Sequence, residues 1–242
     1  MNPVRFCLLI SAIILLTSAK LPSYIKPCKK NDPNLNECFM KNANMALPEV
    51  FKGDPTLGVR QYKPYPLPQM DLAAGDDLSF HVTSGIIYMP FKIEISRANV
   101  DFKEKSIDFT MSARQMTWLL DYVATGSIKA KAVNETGQAY ILLGDVDCAV
   151  TSTFDTKVID GKPHIEIQSA EMITSSKMFE LLRYNTKQSE PKLNDEENEI
   201  FTATSKKIVL SIREKMKEMG SIEFRDAMNL YFKLAPENEI FP

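Results

Sequence analysis

The chain has 242 residues with 29 basic and 31 acidic side chains, a net charge of −2. A charge this close to neutral, without a long basic run, argues against nucleic-acid binding, which usually shows a basic face. The length suffices for one domain with a sizeable core, or for two small ones.

Residues 1–19 read as a secretory leader. Arg5 supplies the positive region, Phe6 to Leu16 is an apolar run broken only by Ser11, and Thr17-Ser18-Ala19 offers small residues for cleavage. The run is short of the roughly 20 apolar residues that a spanning helix needs. The expectation is therefore a soluble, secreted chain with one domain over residues 20–242, found in haemolymph or another extracellular fluid. Loss of Arg5 and Cys7 takes the basic count from 29 to 28, against 31 acidic residues. Three cysteines remain. Cys28 and Cys38 are local to one another, and an oxidising compartment favours their pairing. Such a short loop constrains the unfolded chain by roughly 2–3 kcal/mol. Cys148 sits in the alternating run DVDCAVTSTF and reads as a small buried hydrophobe on a strand, with an intermolecular bridge as the alternative.

Asp32-Pro33 predicts a helix start, with Asp32 as cap and Pro33 at the first helical position. Leu35, Cys38, Phe39, Met45 and Ala46 share a face of that helix. Pro48 is expected to bend or restart it, and Gly53-Asp54-Pro55 to end it. Tyr62 to Pro68 is too proline-rich for a central strand and reads as an extended connector. From Asp77 to Phe154 apolar residues alternate with polar ones again and again, which predicts strands with one apolar face. Turns are expected at Lys103–Ser106, Asn134–Gly137 and Asp160–Pro163, giving an antiparallel meander. Near Met178 the period changes, and Phe179, Leu181 and Leu182 predict a short helix. A long helix follows from about Asp195 to Leu234. Phe201, Thr204, Ile208, Ile212, Met216 and Met219 form its apolar stripe, and Gly220 is a weak point or bend.

The chemistry of most enzyme classes is missing from the motifs. His81 and His164 are the only histidines, and neither has a second histidine at ligand spacing. There is no nucleophile elbow, no P-loop and no dinucleotide-binding glycine pattern. The pairs Asp76-Asp77 and Glu196-Glu197 read as solvated charge at loops or helix starts. Asn134-Glu135-Thr136 is an N-glycosylation sequon, placed by the pattern on a hairpin tip.

Five stretches carry a resemblance to the insect takeout / juvenile-hormone-binding protein family. They are LPSYIKPC from Leu21, DPNLNEC from Asp32, LPEVFKGDPTLGV from Leu47, MFELLRYN from Met178 and PENEIFP from Pro236. The resemblance implies an α+β fold of the tubular lipid-binding kind, a curved antiparallel β-sheet wrapped around a long C-terminal helix. It also implies a non-enzymatic carrier of a small apolar ligand, in the class of juvenile hormones, terpenoids, fatty acids and other lipids. The expected tunnel wall is Phe80, Val82, Phe91, Ile93, Phe109, Met111, Trp118, Tyr140, Leu142, Phe201, Ile208 and Ile212, each of which could equally be packed core. Tyr140 is the expected polar contact, because a buried phenol seeks a partner. Met111, Met216 and Met219 suit an adaptable wall. A small hydrophobic ligand is the partner implied; no cofactor, metal, nucleic acid or stable membrane insertion is expected, and the chain should be a monomer. The alternatives are a protein that recognises lipid or membrane surfaces without transporting a ligand, and a secreted enzyme.

Overall fold

The computed structural model describes residues 21–73, 77–89, 91–128, 131–185 and 195–242. The leader expected over residues 1–19 lies outside them. In chain order the elements are α1 (Leu35–Lys52), β1 (Tyr65–Leu67), β2 (Met70–Ala73), β3 (Leu78–Tyr88), β4 (Ile93–Asp101), β5 (Ser106–Ile128), β6 (Lys131–Ile159), β7 (Lys162–Asn185), α2 (Asp195–Phe232) and α3 (Glu237–Ile240). The strands form one antiparallel sheet in the order β1-β3-β5-β6-β7; β2 also pairs with β3, and β4 with β5. The expected α+β architecture is present: a large curved antiparallel sheet and a long C-terminal helix.

The Cys28–Cys38 disulfide ties the N-terminal segment to the first turn of α1. Asp32 does not cap α1: the helix opens at Leu35, two residues later than expected, with Asn34 at the N-cap. Asp32 Oδ1 instead accepts the Asn34 N–H at 2.8 Å in the turn before the helix. Pro48 does not break α1. The helix is held in place by Asn44, whose Oδ1 accepts the Ile95 N–H at 2.7 Å and whose Nδ2 donates to the Ile95 carbonyl at 3.0 Å. Gly53 ends the helix at φ 77°, a conformation that glycine adopts without a Cβ clash.

The proline-rich connector is partly a strand. β1 occupies an edge, bonded to β3 alone, where proline costs no ladder partner. Two turns form where expected. Asp101 Oδ1 accepts the N–H groups of Lys103 and Glu104, and Asp160-Gly161 closes a two-residue hairpin with both φ angles positive.

Two expectations are overturned. The Asn134–Gly137 turn does not form, because β6 runs unbroken through it and the reversal lies between the ladder partners Ile128 and Lys131. Gly137 is buried between Tyr122 and Asn185, and continuing the strand satisfies its backbone on both sides. The short helix at Met178 is also absent. β7 continues to Asn185 along the edge of β6, with Phe179 opposite Leu143. A helix there would leave that stretch of β6 without its ladder.

The inner face divides into two apolar clusters. The first gathers β1, β2, β3, the second half of β5 and the first half of β6 around Trp118 and Tyr122, covered by Ile208 and Ile212 of α2. The second gathers α1, β4, the first half of β5 and the β6–β7 hairpin around Phe109, Val150 and Ile165, covered by Phe232 of α2 and by Ile240 and Phe241. The C-terminal tail seals this end, since Cys28 N–H donates to the Ile240 carbonyl at 3.1 Å and Lys30 N–H to Pro242 at 2.9 Å.

A seam crosses the sheet between the clusters. β3 stops at Tyr88 opposite Thr117, and β4 starts at Ile93 opposite Ala113. At the same level Arg114 has no ladder partner in β6, Asp145 has none in β5 or β7, and Lys177 has none in β6. Asp145 has a φ of 48°, and the register resumes unchanged beyond it. Gly220 lies at the matching point of α2, between Met219 on the first cluster and Phe224 on the second. A Cβ on Gly220 would come within 2.5 Å of Met172 Sδ, so a side chain here would require the flexible Met172 to move aside. Unpaired ladder positions open at lower free energy than paired ones. Amide hydrogen exchange should therefore be faster at Arg114, Asp145 and Lys177 than at Thr110, Ala149 and Ile173, which are paired across the same strands; equal protection would show that the seam is no weaker than the rest of the sheet.

Candidate functional site

The second cluster is not filled. A cavity of about 340 Å³ lies between α1, the sheet on both sides of the seam, and the C-terminal half of α2. α1 contributes Phe39, Ala43, Leu47 and Phe51; the sheet contributes Ile93, Phe109, Met111, Ala113 and Val146; α2 contributes Met216, Phe224 and Met228. Apolar cavities of about 150 Å³ already hold a benzene ring, so this space is large enough for a small organic ligand.

Methionine dominates the wall. Met89, Met111, Met116, Met172, Met216, Met219 and Met228 all reach it, more than half of the 12 in the chain. Unbranched thioethers change rotamer at low cost, so the wall can follow ligands of different outline.

One side of the cavity is polar. Tyr62, Tyr65, Glu223 and Tyr231 line it together. Tyr65 Oη donates to Glu223 Oε1 at 2.7 Å, and Arg60 Nη1 donates to the same oxygen at 2.8 Å. The Arg60 guanidinium also lies over the Tyr65 ring, 4.7 Å from its centroid. Tyr24 Oη donates to Tyr231 Oη at 3.3 Å. Burial pushes the phenols of Tyr62, Tyr65 and Tyr231 above their usual range, and the Glu223 carboxylate adds to this at Tyr62 and Tyr65. These hydroxyls stay protonated at physiological pH.

The residues named from the sequence fall in different places. Ile93, Phe109 and Met111 line the cavity, as do Met216 and Met219. Phe80, Val82, Trp118, Ile208 and Ile212 are buried in the first cluster, away from it. Trp118 Nε1 is buried there without a hydrogen-bond partner among the described residues. Phe91 is 42% exposed at the seam, under the Arg114 guanidinium. Tyr140 and Leu142 alternate with Ala139, Ile141 and Leu143, which pack on the first cluster, so period two puts them on the opposite face of the sheet. The side chain of Phe201 lies outside the described residues. The sequence reading left out α1 as a wall, together with Tyr62, Tyr65 and Tyr231. The apolar spacing of α1 and the aromatic residues among the prolines were the available signals.

Of the two histidines, His81 pairs with Asp71 at the surface, and His164 is buried with Nδ1 3.0 Å from the Phe232 carbonyl. Among the described residues no group of three or more His, Cys, Asp and Glu side chains is placed to hold a metal ion, and no helix is long and apolar enough to cross a membrane.

The family model for haemolymph juvenile hormone binding protein (JHBP) matches residues 6–242. The chain belongs to this family. Among solved structures it is similar to Takeout 1 of Epiphyas postvittana, with a TM-score of 0.70, 17% identity, and coverage of 90% of this chain and 99% of that one. At that identity the likeness concerns the fold. A lipopolysaccharide binding protein structure is more distant, with a TM-score of 0.45, 9% identity, and coverage of 82% of this chain and 39% of that one. No curated protein sequence matches the chain.

In this JHBP-family chain Cys148 is a chemical reporter of the cavity. Its thiol is free, half-buried and part of the wall. Burial pushes it up to about 11 from 9.0, so on the order of a hundredfold less thiolate is present at neutral pH than for an unshifted thiol. Cys148 should react with an alkylating reagent at least tenfold more slowly in the folded protein than in denaturant, as read by mass spectrometry. Equal rates would place the thiol in open water.

Proposed function

We propose that this protein is a secreted, monomeric carrier of a small hydrophobic ligand of the juvenile hormone, terpenoid or fatty-acid class, bound in the cavity beneath α1. The observation that carries this reading is an unfilled apolar space in the core of a JHBP-family fold, walled by seven flexible methionines and closed at one end by Ile240 and Phe241. Globular interiors normally pack to crystal-like density, so a space of this size stands out.

The energetics suit a carrier. Burying about fifteen carbons at about 0.8 kcal/mol each gives on the order of 12 kcal/mol gross. Association costs several kcal/mol, which leaves micromolar to nanomolar affinity. Nothing in this reading requires bonds to be made or broken, and the protein acts as a binding protein rather than an enzyme. The leader over residues 1–19 and the Cys28–Cys38 bridge support an extracellular site of action. Asn134 is exposed on β6, accessible to the glycosylation that its sequon specifies.

Native mass spectrometry of protein secreted by eukaryotic cells should detect a co-purifying lipid of defined mass. Substituting Ala113→Phe fills the cavity from β5 and should weaken uptake of a fluorescent terpenoid or fatty-acid analogue roughly tenfold or more. Met111→Leu, which nearly conserves volume, should leave uptake within about threefold. Unchanged uptake by the folded Ala113→Phe variant would mean that ligand binds elsewhere, and an empty wild-type protein that takes up no analogue would overturn the carrier reading.

A further inference from the structure

The seam also shapes the outside of the molecule. Met89 and Ile93, on the connection between β3 and β4, line the cavity. On the same stretch Tyr88 and Phe91 stand 41% and 42% exposed. We infer that this connection is a docking site for an anionic phospholipid surface, set against the wall of the cavity. Docking itself is independent of the carrier reading; the use of the site for ligand exchange rests on it.

The first ground is a pair of aromatic rings that the fold leaves uncovered. Ile87 is buried on the inner face, so period two turns Tyr88 outward. Phe91 follows where β3 has ended and β4 has not begun, and no ladder partner fixes it. One exposed ring is ordinary, but two on one short connection with a charged rim mark an interaction surface. Exposed aromatic rings settle at the headgroup level of a bilayer.

The second ground is charge. The chain as a whole is slightly acidic, with a net charge of −2. The cations Lys63, Lys92, Arg97 and Arg114 nevertheless gather here around one carboxylate, Glu94. Arg114 lies over the Phe91 ring, 5.8 Å from its centroid, and Lys63 Nζ donates to the Phe91 carbonyl at 3.2 Å. Lys92 pairs with Glu94 at 3.1 Å, and Arg97 stands further along β4, opposite Thr110. Lys63, Arg97 and Arg114 have no carboxylate partner among the described residues. Across β5 the carboxylates of Asp145 and Asp147 are engaged by Lys177 at 4.0 Å and by the Ser112 hydroxyl at 2.6 Å. Each cation held near an anionic leaflet contributes about fivefold in affinity. Two rings are too little apolar area for a stable protein interface, but they suffice for reversible adsorption to a bilayer when charge carries the rest.

The third ground is position. The connection that presents the rings also carries two residues of the cavity wall. It lies at the level where Arg114, Asp145 and Lys177 lack ladder partners. A shift of the connection there opens the cavity towards the docked surface without breaking a ladder.

The experiment is co-sedimentation of the full secreted chain with vesicles of phosphatidylcholine alone and of phosphatidylcholine with about one-third phosphatidylserine. Binding should be roughly tenfold tighter to the anionic vesicles and should weaken at least fivefold between about 0.05 and about 0.3 M salt. Phe91→Ser, and separately Lys63→Gln combined with Arg114→Gln, should each lower anionic-vesicle binding about fivefold or more. Lys162→Gln, at the tip of the β6–β7 hairpin, should leave it within about twofold. Circular dichroism of each variant reports folding. Uptake of a fluorescent fatty acid in solution should be unchanged in all of them, because none of these residues lines the cavity. Transfer of that fatty acid from loaded protein should quicken with anionic-vesicle concentration and lose this dependence in Phe91→Ser. Equal binding to both vesicles, binding to neither, or binding unmoved by Phe91→Ser and by the double variant would overturn the docking site and leave the carrier standing. Retention on polyglutamate without binding to vesicles would give the patch to an acidic protein and equally overturn it. Transfer at a rate independent of vesicle concentration would remove the exchange role. Docking as expected with no fatty-acid uptake at all would overturn the carrier reading alone.

Discussion

Everything in this molecule depends on covering the apolar face of one curved antiparallel sheet. Among the described residues there is no second sheet to pack against, so helices bury that face. α2 has 38 residues and is about 57 Å long, enough to run along both clusters. At the first cluster one helix suffices, and Ile208 and Ile212 close a dense core over Trp118 and Tyr122. At the second, β4 and the β6–β7 hairpin need α1 as well, and Asn44 fixes that helix to β4 through both hydrogen bonds with Ile95. Two cylinders set on a curved surface leave a gap, and the gap is the cavity.

An empty apolar space is costly. At roughly 24 cal/mol per Å³, a void of 340 Å³ corresponds to on the order of 8 kcal/mol. That is comparable to the whole stability of a typical domain. A fold can carry such a void when the wall sags inward or when a ligand fills it. The methionine-rich lining suits the first, and the apolar character of the wall suits the second. The position of the void is also informative. It straddles the seam, where Tyr88 and Ile93 end and restart the edge pairing and where Gly220 replaces a side chain in α2. The ladder is thinnest where the interior is least filled.

The fold was largely legible in the sequence because its main signals are periodic. Alternation at Ile107, Phe109 and Met111 marked β5, and the three-and-four spacing of Ile208, Ile212, Met216 and Met219 marked α2. Two local signals misled. Asn134 to Gly137 has turn chemistry, but Gly137 is buried within two ladders, and tertiary pairing outweighed propensity. Leu181 and Leu182 follow Phe179 at helix-like spacing, yet the open edge of β6 captured that stretch as strand. The site was less legible. Periodicity assigns a residue to the inner face, but it does not say whether that face is packed or hollow there. Val82 and Met111 both face inward; one is 1% exposed in a solid cluster and the other lines a void. The polar pole was harder still, because Tyr62, Glu223 and Tyr231 meet only after the chain has closed around the sheet.

A crystal structure under xenon pressure tests the central claim most directly, since xenon enters dry apolar cavities without needing the right ligand. Density for xenon between Phe109, Met111 and Phe224 is the result the account predicts. Side chains from α1 and α2 meeting across that space, with no xenon or lipid between them, would contradict it.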